Sequence, residues 1–134
     1  MPTAAPTFTC RDSNMILVVE DDPISRRALK SLFTANGFVC RAVTSAEEAL
    51  SALNSTDQPE MVLIDIDLPG MSGLQLLHRL QNARPDLSCT LMSADYGHDL
   101  SPLAGHRAVP FFPKPLNPKR LVGFLRDPRR FAVG

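Results

Sequence analysis

The chain has 134 residues, which is enough for one hydrophobic core but not for two. Hydrophobic residues make up 44 % of it, as is ordinary for a folded soluble protein, and no apolar run approaches the length of a membrane span. Lys and Arg number 14, and Asp and Glu also number 14, so the formal net charge of zero gives no reason to expect nonspecific binding to nucleic acid or to a membrane surface.

The two ends of the chain differ in composition from its middle. Residues 1–14 are rich in Pro, Thr and Ala and predict a flexible extension, whereas the patterned domain spans residues 15–126 and residues 127–134 form a short tail. The first residues show no signal-peptide pattern. Cys40 and Cys89 lie in strand-like runs without a CxxC pair, which predicts core thiols in a reducing compartment. We therefore expect a cytoplasmic protein.

The first strand and helix have clear boundaries. Met15–Val19 is a continuous apolar run, typical of a buried strand in a parallel sheet. Asp22 before Pro23 predicts an N-cap followed by proline at the first helical position. Asn36-Gly37 is a typical helix end. The predicted apolar face of this helix consists of Ile24, Ala28, Leu29, Leu32 and Phe33.

The second strand and helix are less apolar. Phe38–Val43 has a strand pattern that Arg41 interrupts, which suits an edge position. Ser45 and Glu48 stand three residues apart and predict a capping box at the start of a short helix. Asp57-Gln58-Pro59 closes that helix.

Three further apolar runs have the length of buried strands: Met61–Ile64, Cys89–Met92 and Val109–Phe112. Leucines at helical spacing follow the first of them, and Asn117-Pro118 begins a last helix. The segment Asp95–His106 should hold a helix, but it contains two glycines and one proline. Because proline inside a helix costs about 3 kcal/mol, we expect a short, displaced or mobile helix there. The alternation predicts an α/β fold, a doubly wound (βα)₅ parallel sheet with helices on both faces.

Polar side chains suited to phosphate chemistry follow four of the predicted strands. Glu20 and Asp21 follow the first strand, Asp65 the third, Ser93 the fourth and Lys114 the fifth. The carboxyl ends of parallel strands meet at one edge of the sheet, where open α/β folds bind ligands. Clustered carboxylates repel each other unless a cation joins them, and Mg²⁺ prefers oxygen ligands. The sequence therefore predicts a magnesium site that handles a phosphoryl group.

Four segments together resemble the receiver domain of two-component response regulators. They are Ile16–Asp22, Leu63–Gly73, Met92–Ala94 and Phe112–Pro115, and the resemblance covers about residues 14–126. Each segment alone is a weak signal, whereas all four in this order and spacing are a specific one. The resemblance implies a flavodoxin-like five-stranded sheet with the strand order 2-1-3-4-5.

The resemblance also implies catalytic and metal-binding roles. Asp65 would be the phosphoacceptor, whose carboxylate forms an acyl phosphate. Glu20, Asp21, Asp65 and the backbone carbonyl of Asp67 would hold Mg²⁺. Lys114 would offset charge on the phosphoryl oxygens, in a reaction that depends mainly on positioning and electrostatics. The peptide bond between Lys114 and the following proline would be cis.

Other positions correspond to switching and lifetime residues of the family. Ser93 matches the hydroxyl that moves to a phosphoryl oxygen, and Phe111 matches the aromatic switch residue. Asp67 and Asp95 stand at positions that tune the lifetime of the phosphorylated form. Phosphorylation would then change the surface of the fourth helix, fifth strand and fifth helix.

The function that the resemblance implies is a phosphorylation-activated signalling switch of a two-component system or phosphorelay. The phosphodonor would be a histidine kinase or a histidine phosphotransfer protein, and the domain would catalyse only its own phosphorylation and dephosphorylation. The downstream partner and a dimer formed on phosphorylation stay open. Two alternatives remain: a docking module that accepts no phosphate, and a haloacid-dehalogenase-type phosphatase. The second alternative rests on Asp65-Ile66-Asp67, although that family places its DxD motif on the first strand.

Overall fold

A computed structural model describes residues 15–54, 58–94 and 109–126. Its five strands form one parallel sheet with the order β2-β1-β3-β4-β5. This sheet confirms the predicted fold class and strand order. The strands are β1 (Met15–Val19), β2 (Val39–Val43), β3 (Met61–Asp65), β4 (Ser88–Ser93) and β5 (Phe111–Pro113).

Helices cover both faces of this sheet. Side chains of β1 alternate between the faces, with Leu17 and Val19 in one hydrophobic cluster and Ile16 and Val18 in the other. The first cluster includes residues of α2 and α3, and the second includes residues of α1 and α4. The helices are α1 (Pro23–Ala35), α2 (Ala46–Leu53), α3 (Gly73–Ala83) and α4 (Pro118–Arg126). The weak helix expected in Asp95–His106, like both terminal segments, lies outside the described residues.

The predicted apolar face of α1 is only partly correct. Leu29 and Phe33 are buried and Leu32 is partly buried, but Ala28 is exposed and Ile24 is 79 % exposed. Ile24 lies in the first turn of α1, directly after the loop that leaves the carboxyl end of β1. The first turn therefore extends past the edge of the sheet, where no strand is available to cover an apolar side chain.

Side-chain hydrogen bonds mark where the helices begin. Asp22 caps α1 as predicted, since its carboxylate accepts from the backbone N–H of Ser25 at 2.9 Å. The capping box predicted at α2 is only partly formed: Glu48 donates its N–H to Ser45 Oγ, but its carboxylate accepts from Thr44. Thr44 offers two donors, a backbone N–H and a hydroxyl, and both lie 2.6 Å from Glu48 Oε1.

None of the described helices is long and apolar enough to cross a membrane.

The close packing of α3 against β3 requires glycine at position 73. A Cβ atom added to Gly73 would lie 2.3 Å from the backbone oxygen of Asp65 and 2.7 Å from Cα of Ile66. The N–H of Gly73 also donates to the backbone oxygen of Ile66 at 3.1 Å. The first turn of α3 thus rests directly on the backbone that presents Asp65.

We expect Gly73→Ala to destabilise the protein by about 1–3 kcal/mol, because the helix or the β3 backbone must shift. Gly123 is the matched control, since nothing lies within 4 Å of an added Cβ in the middle of α4. Gly123→Ala should be neutral or stabilising by about 0.5–1 kcal/mol through helix propensity. Urea unfolding of both variants measures the difference. Equal stabilities of the two variants would contradict the packing argument.

Candidate functional site

Four of the predicted site residues meet at the carboxyl edge of the sheet. Asp65 and Ser93 end β3 and β4, while Glu20 and Lys114 directly follow β1 and β5. Backbone hydrogen bonds continue past the regular pairing: Glu20 donates its N–H to Val43 at 3.1 Å, and Lys114 donates to Ser93 at 2.9 Å. The main chain that carries these side chains is therefore fixed by the sheet itself.

An ammonium group joins two carboxylates at the centre of this edge. Lys114 Nζ lies 2.6 Å from Glu20 Oε1 and 2.9 Å from Asp65 Oδ2. Side-chain exposure is 21 % for Lys114, 0 % for Glu20 and 5 % for Asp65. Because buried charges are costly unless they are paired, these contacts are what allows two carboxylates to stand at the end of the hydrophobic core.

The buried position changes the acidity of both ion-pair partners. Burial raises the pKa of Glu20 to about 7 from 4.5, and the hydrogen bond from Lys114 only partly opposes this rise. For Lys114, burial lowers the pKa, but the hydrogen bonds to Glu20 and Asp65 outweigh burial and leave the pKa above its ordinary value. The Lys114 ammonium therefore stays charged at neutral pH.

The remaining oxygens of the two carboxylates accept backbone hydrogen bonds. Asp65 Oδ1 accepts from the N–H of Asp67 at 2.8 Å, and Glu20 Oε2 accepts from the N–H of Asp22 at 3.1 Å. A second contact involves the Asp67 side chain, since Ser93 Oγ donates to Asp67 Oδ2 at 2.7 Å. The hydroxyl of Ser93 is thus held by an exposed carboxylate.

Three carboxylates of the site are close enough to share one cation. Oxygen atoms of Glu20, Asp21 and Asp65 lie within 4.8 Å of one another. Glu20 and Asp65 are buried, whereas Asp21 is exposed at the rim. An all-oxygen donor set that is open to solvent on one side suits Mg²⁺, which keeps several of its waters. The residues present therefore fit a magnesium ion.

Two further predicted positions are less central. Phe111 opens β5, and its half-buried ring packs against the cluster between the sheet and helices α2 and α3. Asp95 lies outside the described residues. The Lys114–Pro115 peptide bond is cis, as predicted.

Two features of the site were missed by sequence reasoning. One is the hydrogen bond between Ser93 and the side chain of Asp67, which forms because the chain after β3 continues alongside β4, with the N–H of Ile66 donating to the backbone oxygen of Met92. The other is Arg26, whose guanidinium contacts the backbone of the acidic loop. A basic residue four positions after an N-cap is a weak signal, because such residues are common on exposed helix faces.

Comparison with known proteins agrees with this geometry. The family model described as response regulator receiver domain matches residues 16–126. The chain belongs to the response regulator receiver domain family. The DNA-binding transcriptional regulator NtrC of Proteus hauseri is 37 % identical to this receiver domain over 103 residues, which are 76 % of the chain and 22 % of that protein.

A sensor histidine kinase is also similar to part of this chain. The sensor histidine kinase RcsC of Salmonella typhimurium is 36 % identical over 81 residues, which are 60 % of this chain and 8 % of that protein. The chain therefore spans about a fifth or less of the curated relatives that it matches.

Solved structures show the same fold. A CheY-like receiver domain protein from Methanospirillum hungatei superposes with a TM-score of 0.78 at 23 % identity, covering 89 % of this chain and 95 % of that chain. NtrX from Brucella abortus, solved in complex with ATP, superposes with a TM-score of 0.77 at 27 % identity, covering 90 % of this chain and 28 % of that chain.

The raised pKa of Glu20 predicts that magnesium binding to this receiver domain depends on pH. A protonated carboxyl cannot act as a ligand, so the apparent affinity should rise as the pH increases through about 7. Between pH 6 and pH 8 we expect about a tenfold gain in affinity, measured by isothermal titration calorimetry with MgCl₂. Glu20→Gln should bind more weakly and lose most of this dependence.

Asp86→Asn is the control for the loss of one carboxylate, because Asp86 lies just before the amino end of β4, at the far edge of the sheet. It should keep the affinity and pH dependence of the unmodified protein. An affinity that is constant between pH 6 and pH 8 in the unmodified protein would contradict the role of Glu20.

Proposed function

We propose that this receiver domain is switched by transfer of a phosphoryl group to Asp65. The observation that supports this most strongly is the 2.9 Å contact between Lys114 Nζ and Asp65 Oδ2, inside a group of three carboxylates. A carboxylate needs little activation to attack phosphorus. Asp65 ends its strand with the Lys114 ammonium beside it, and exposed Asp21 lies on the side of the site that faces solvent.

In the proposed reaction, a carboxylate oxygen of Asp65 forms a bond to phosphorus while the bond from phosphorus to the donor nitrogen breaks. The leaving imidazole keeps the electron pair of that bond, and Asp65 becomes an acyl phosphate. Lys114 pairs with the negative charge that spreads over the phosphoryl oxygens. Backbone hydrogen bonding from Asp67 orients the carboxylate before attack.

Magnesium would be held by Glu20, Asp21, Asp65 and the backbone carbonyl of Asp67. When bound, it would supply positive charge that attracts the phosphoryl oxygens and offsets the repulsion between an anionic donor and three carboxylates. Glu20 contributes a ligand fixed by two hydrogen bonds, and exposed Asp21 contributes one at the rim.

The proposed switch begins with Ser93. Its hydroxyl donates to Asp67 before phosphorylation, and the phosphoryl group would offer a more strongly charged acceptor. Movement of Ser93 would leave space near the end of β4, which Phe111 could fill by packing alone, since it has no hydroxyl. The surface formed by β5, the last helix and the segment before β5 would change as a result.

We also propose that Asp67 and Asp95 tune the lifetime of phosphorylated Asp65. The contact between Asp67 and Ser93 supports this role for Asp67, because it links the side chain to the switch hydroxyl. The half-life of the acyl phosphate in Asp67→Asn and Asp95→Asn should differ from that of the unmodified protein. Unchanged half-lives in both variants, followed by mass spectrometry after removal of the donor, would contradict the proposal.

A histidine kinase or a histidine phosphotransfer protein is the proposed donor. An apolar groove of about 490 Å³ runs beside the site between α1 and the loop after β5, and its lining includes Leu29, Lys114 and Leu116. Exposed Ile24 lies on the first turn of α1, next to the acidic loop. Lys114 belongs to both the groove and the site. A domain that presents phosphohistidine to Asp65 would therefore cover an apolar surface that consists of the groove and the nearby Ile24.

The proposed function predicts one phosphoryl group per chain when the protein is incubated with acetyl phosphate and Mg²⁺. Intact mass spectrometry should show this gain, and the adduct should be stable in acid and labile in base. Asp65→Asn should show no gain, whereas Asp86→Asn should react as the unmodified protein does. No modification of the unmodified protein would favour the alternative of a docking module.

A second arm of the same experiment uses a purified histidine kinase that carries phosphohistidine. Ile24→Asp should react normally with acetyl phosphate but slowly with the kinase, because only the protein donor needs the apolar surface. Multiple turnover of phosphomonoesters would instead support the phosphatase alternative.

A further inference from the structure

Arg26 makes two hydrogen bonds to the backbone of the acidic loop. Its Nη1 atom donates to the carbonyl oxygen of Glu20 at 3.0 Å and to that of Asp21 at 3.1 Å. The side chain is half-buried and projects from α1, the helix that follows this loop. One nitrogen atom therefore fixes two consecutive carbonyl groups, both belonging to residues whose side chains line the magnesium site.

The Asp21 carbonyl belongs to the same peptide unit as the N–H of Asp22, which contacts a carboxylate oxygen of Glu20. The C=O of Asp21 and the N–H of Asp22 lie in one rigid plane and point in opposite directions. Arg26 binds the oxygen end of this plane, and the N–H end donates to Glu20 Oε2 at 3.1 Å. If the plane turned over, it would direct a carbonyl oxygen toward the Glu20 carboxylate and repel it.

The helix start holds the other end of the same loop. Asp22 caps α1 through the N–H of Ser25, and its carbonyl accepts the first helical hydrogen bond, from the N–H of Arg26 at 2.9 Å. The main chain of Arg26 is therefore anchored in the first turn of α1, and its side chain reaches back along the loop. This arrangement leaves the peptide between Asp21 and Asp22 with a defined orientation.

We propose that Arg26 is a positioning residue for the magnesium site, acting through the peptide plane between Asp21 and Asp22 to orient the Glu20 carboxylate. The inference rests on the magnesium site of the proposed function. Arg26 does not contact the cation; it fixes the backbone from which two of the ligands extend. Replacing a group that orients a metal ligand from behind commonly lowers metal affinity by about 10- to 100-fold.

An effect of charge alone on magnesium affinity would have the opposite sign to the positioning effect of Arg26. Arg26 carries a positive charge near a cation site, so removing the charge alone should strengthen magnesium binding. If Arg26 positions the ligands, its removal should weaken binding. Arg27 is the matched control, because it is the next residue on the same helix and is exposed. Its replacement measures the effect of charge without the hydrogen bonds.

The experiment measures the dissociation constant of Mg²⁺ by isothermal titration calorimetry for Arg26→Met and Arg27→Met. We expect Arg26→Met to bind about tenfold more weakly than the unmodified protein. Arg27→Met should bind equally or slightly more tightly. Arg26→Lys, which keeps the charge but offers only one ammonium on a flexible stem, should fall between Arg26→Met and the unmodified protein.

A second readout needs no metal. In the metal-free protein, hydrogen exchange of the Asp22 amide, measured by NMR, should be faster in Arg26→Met than in Arg27→Met, while global stability by urea unfolding stays alike. Equal or tighter magnesium binding by Arg26→Met, or unchanged exchange of this amide, overturns the inference. If the unmodified protein binds no Mg²⁺, the magnesium site of the proposed function is wrong. If the unmodified protein binds Mg²⁺ and Arg26→Met binds it equally well or more tightly, only the inference about Arg26 is wrong.

Discussion

A single ammonium group between two carboxylates is the interaction on which this site depends. Glu20 and Asp65 stand at the ends of buried strands and are almost fully inaccessible to solvent. Without Lys114, two like charges would face each other in a poorly hydrated environment, which is costly for the folded state. In the proposed function the same geometry would also serve the chemistry, because the ammonium that neutralises the carboxylates could pair with phosphoryl oxygens.

Backbone geometry makes that pairing possible between residues distant in sequence. Glu20 and Lys114 are 94 residues apart, yet they meet at Asp65: β1 lies next to β3, and the long Lys114 side chain reaches Asp65 from beyond β4. Gly73 lets α3 approach the backbone of Asp65, and Arg26 fixes the loop that carries Glu20. The site is therefore built from main-chain constraints as much as from charged side chains, so substitutions behind the site should affect its chemistry.

The sequence predicts the sheet well because continuous apolar runs and helix caps are local signals. It also predicts which residues cluster, since the carboxyl ends of parallel strands share one edge. Contacts that depend on how a loop folds could not be predicted, as the hydrogen bond between Ser93 and Asp67 shows. The exposure of Ile24 was missed for a related reason: helical periodicity identifies a face, but it does not say where the sheet beneath that face ends.

Crystals grown with Mn²⁺, which takes the same oxygen ligands as Mg²⁺, test the central claim most directly. The anomalous difference map should contain one strong peak bounded by the carboxylate oxygens of Glu20, Asp21 and Asp65. The Lys114 ammonium should remain beside the Asp65 carboxylate. A peak elsewhere on the molecule, or Asp65 turned away from both the metal and Lys114, would contradict the account.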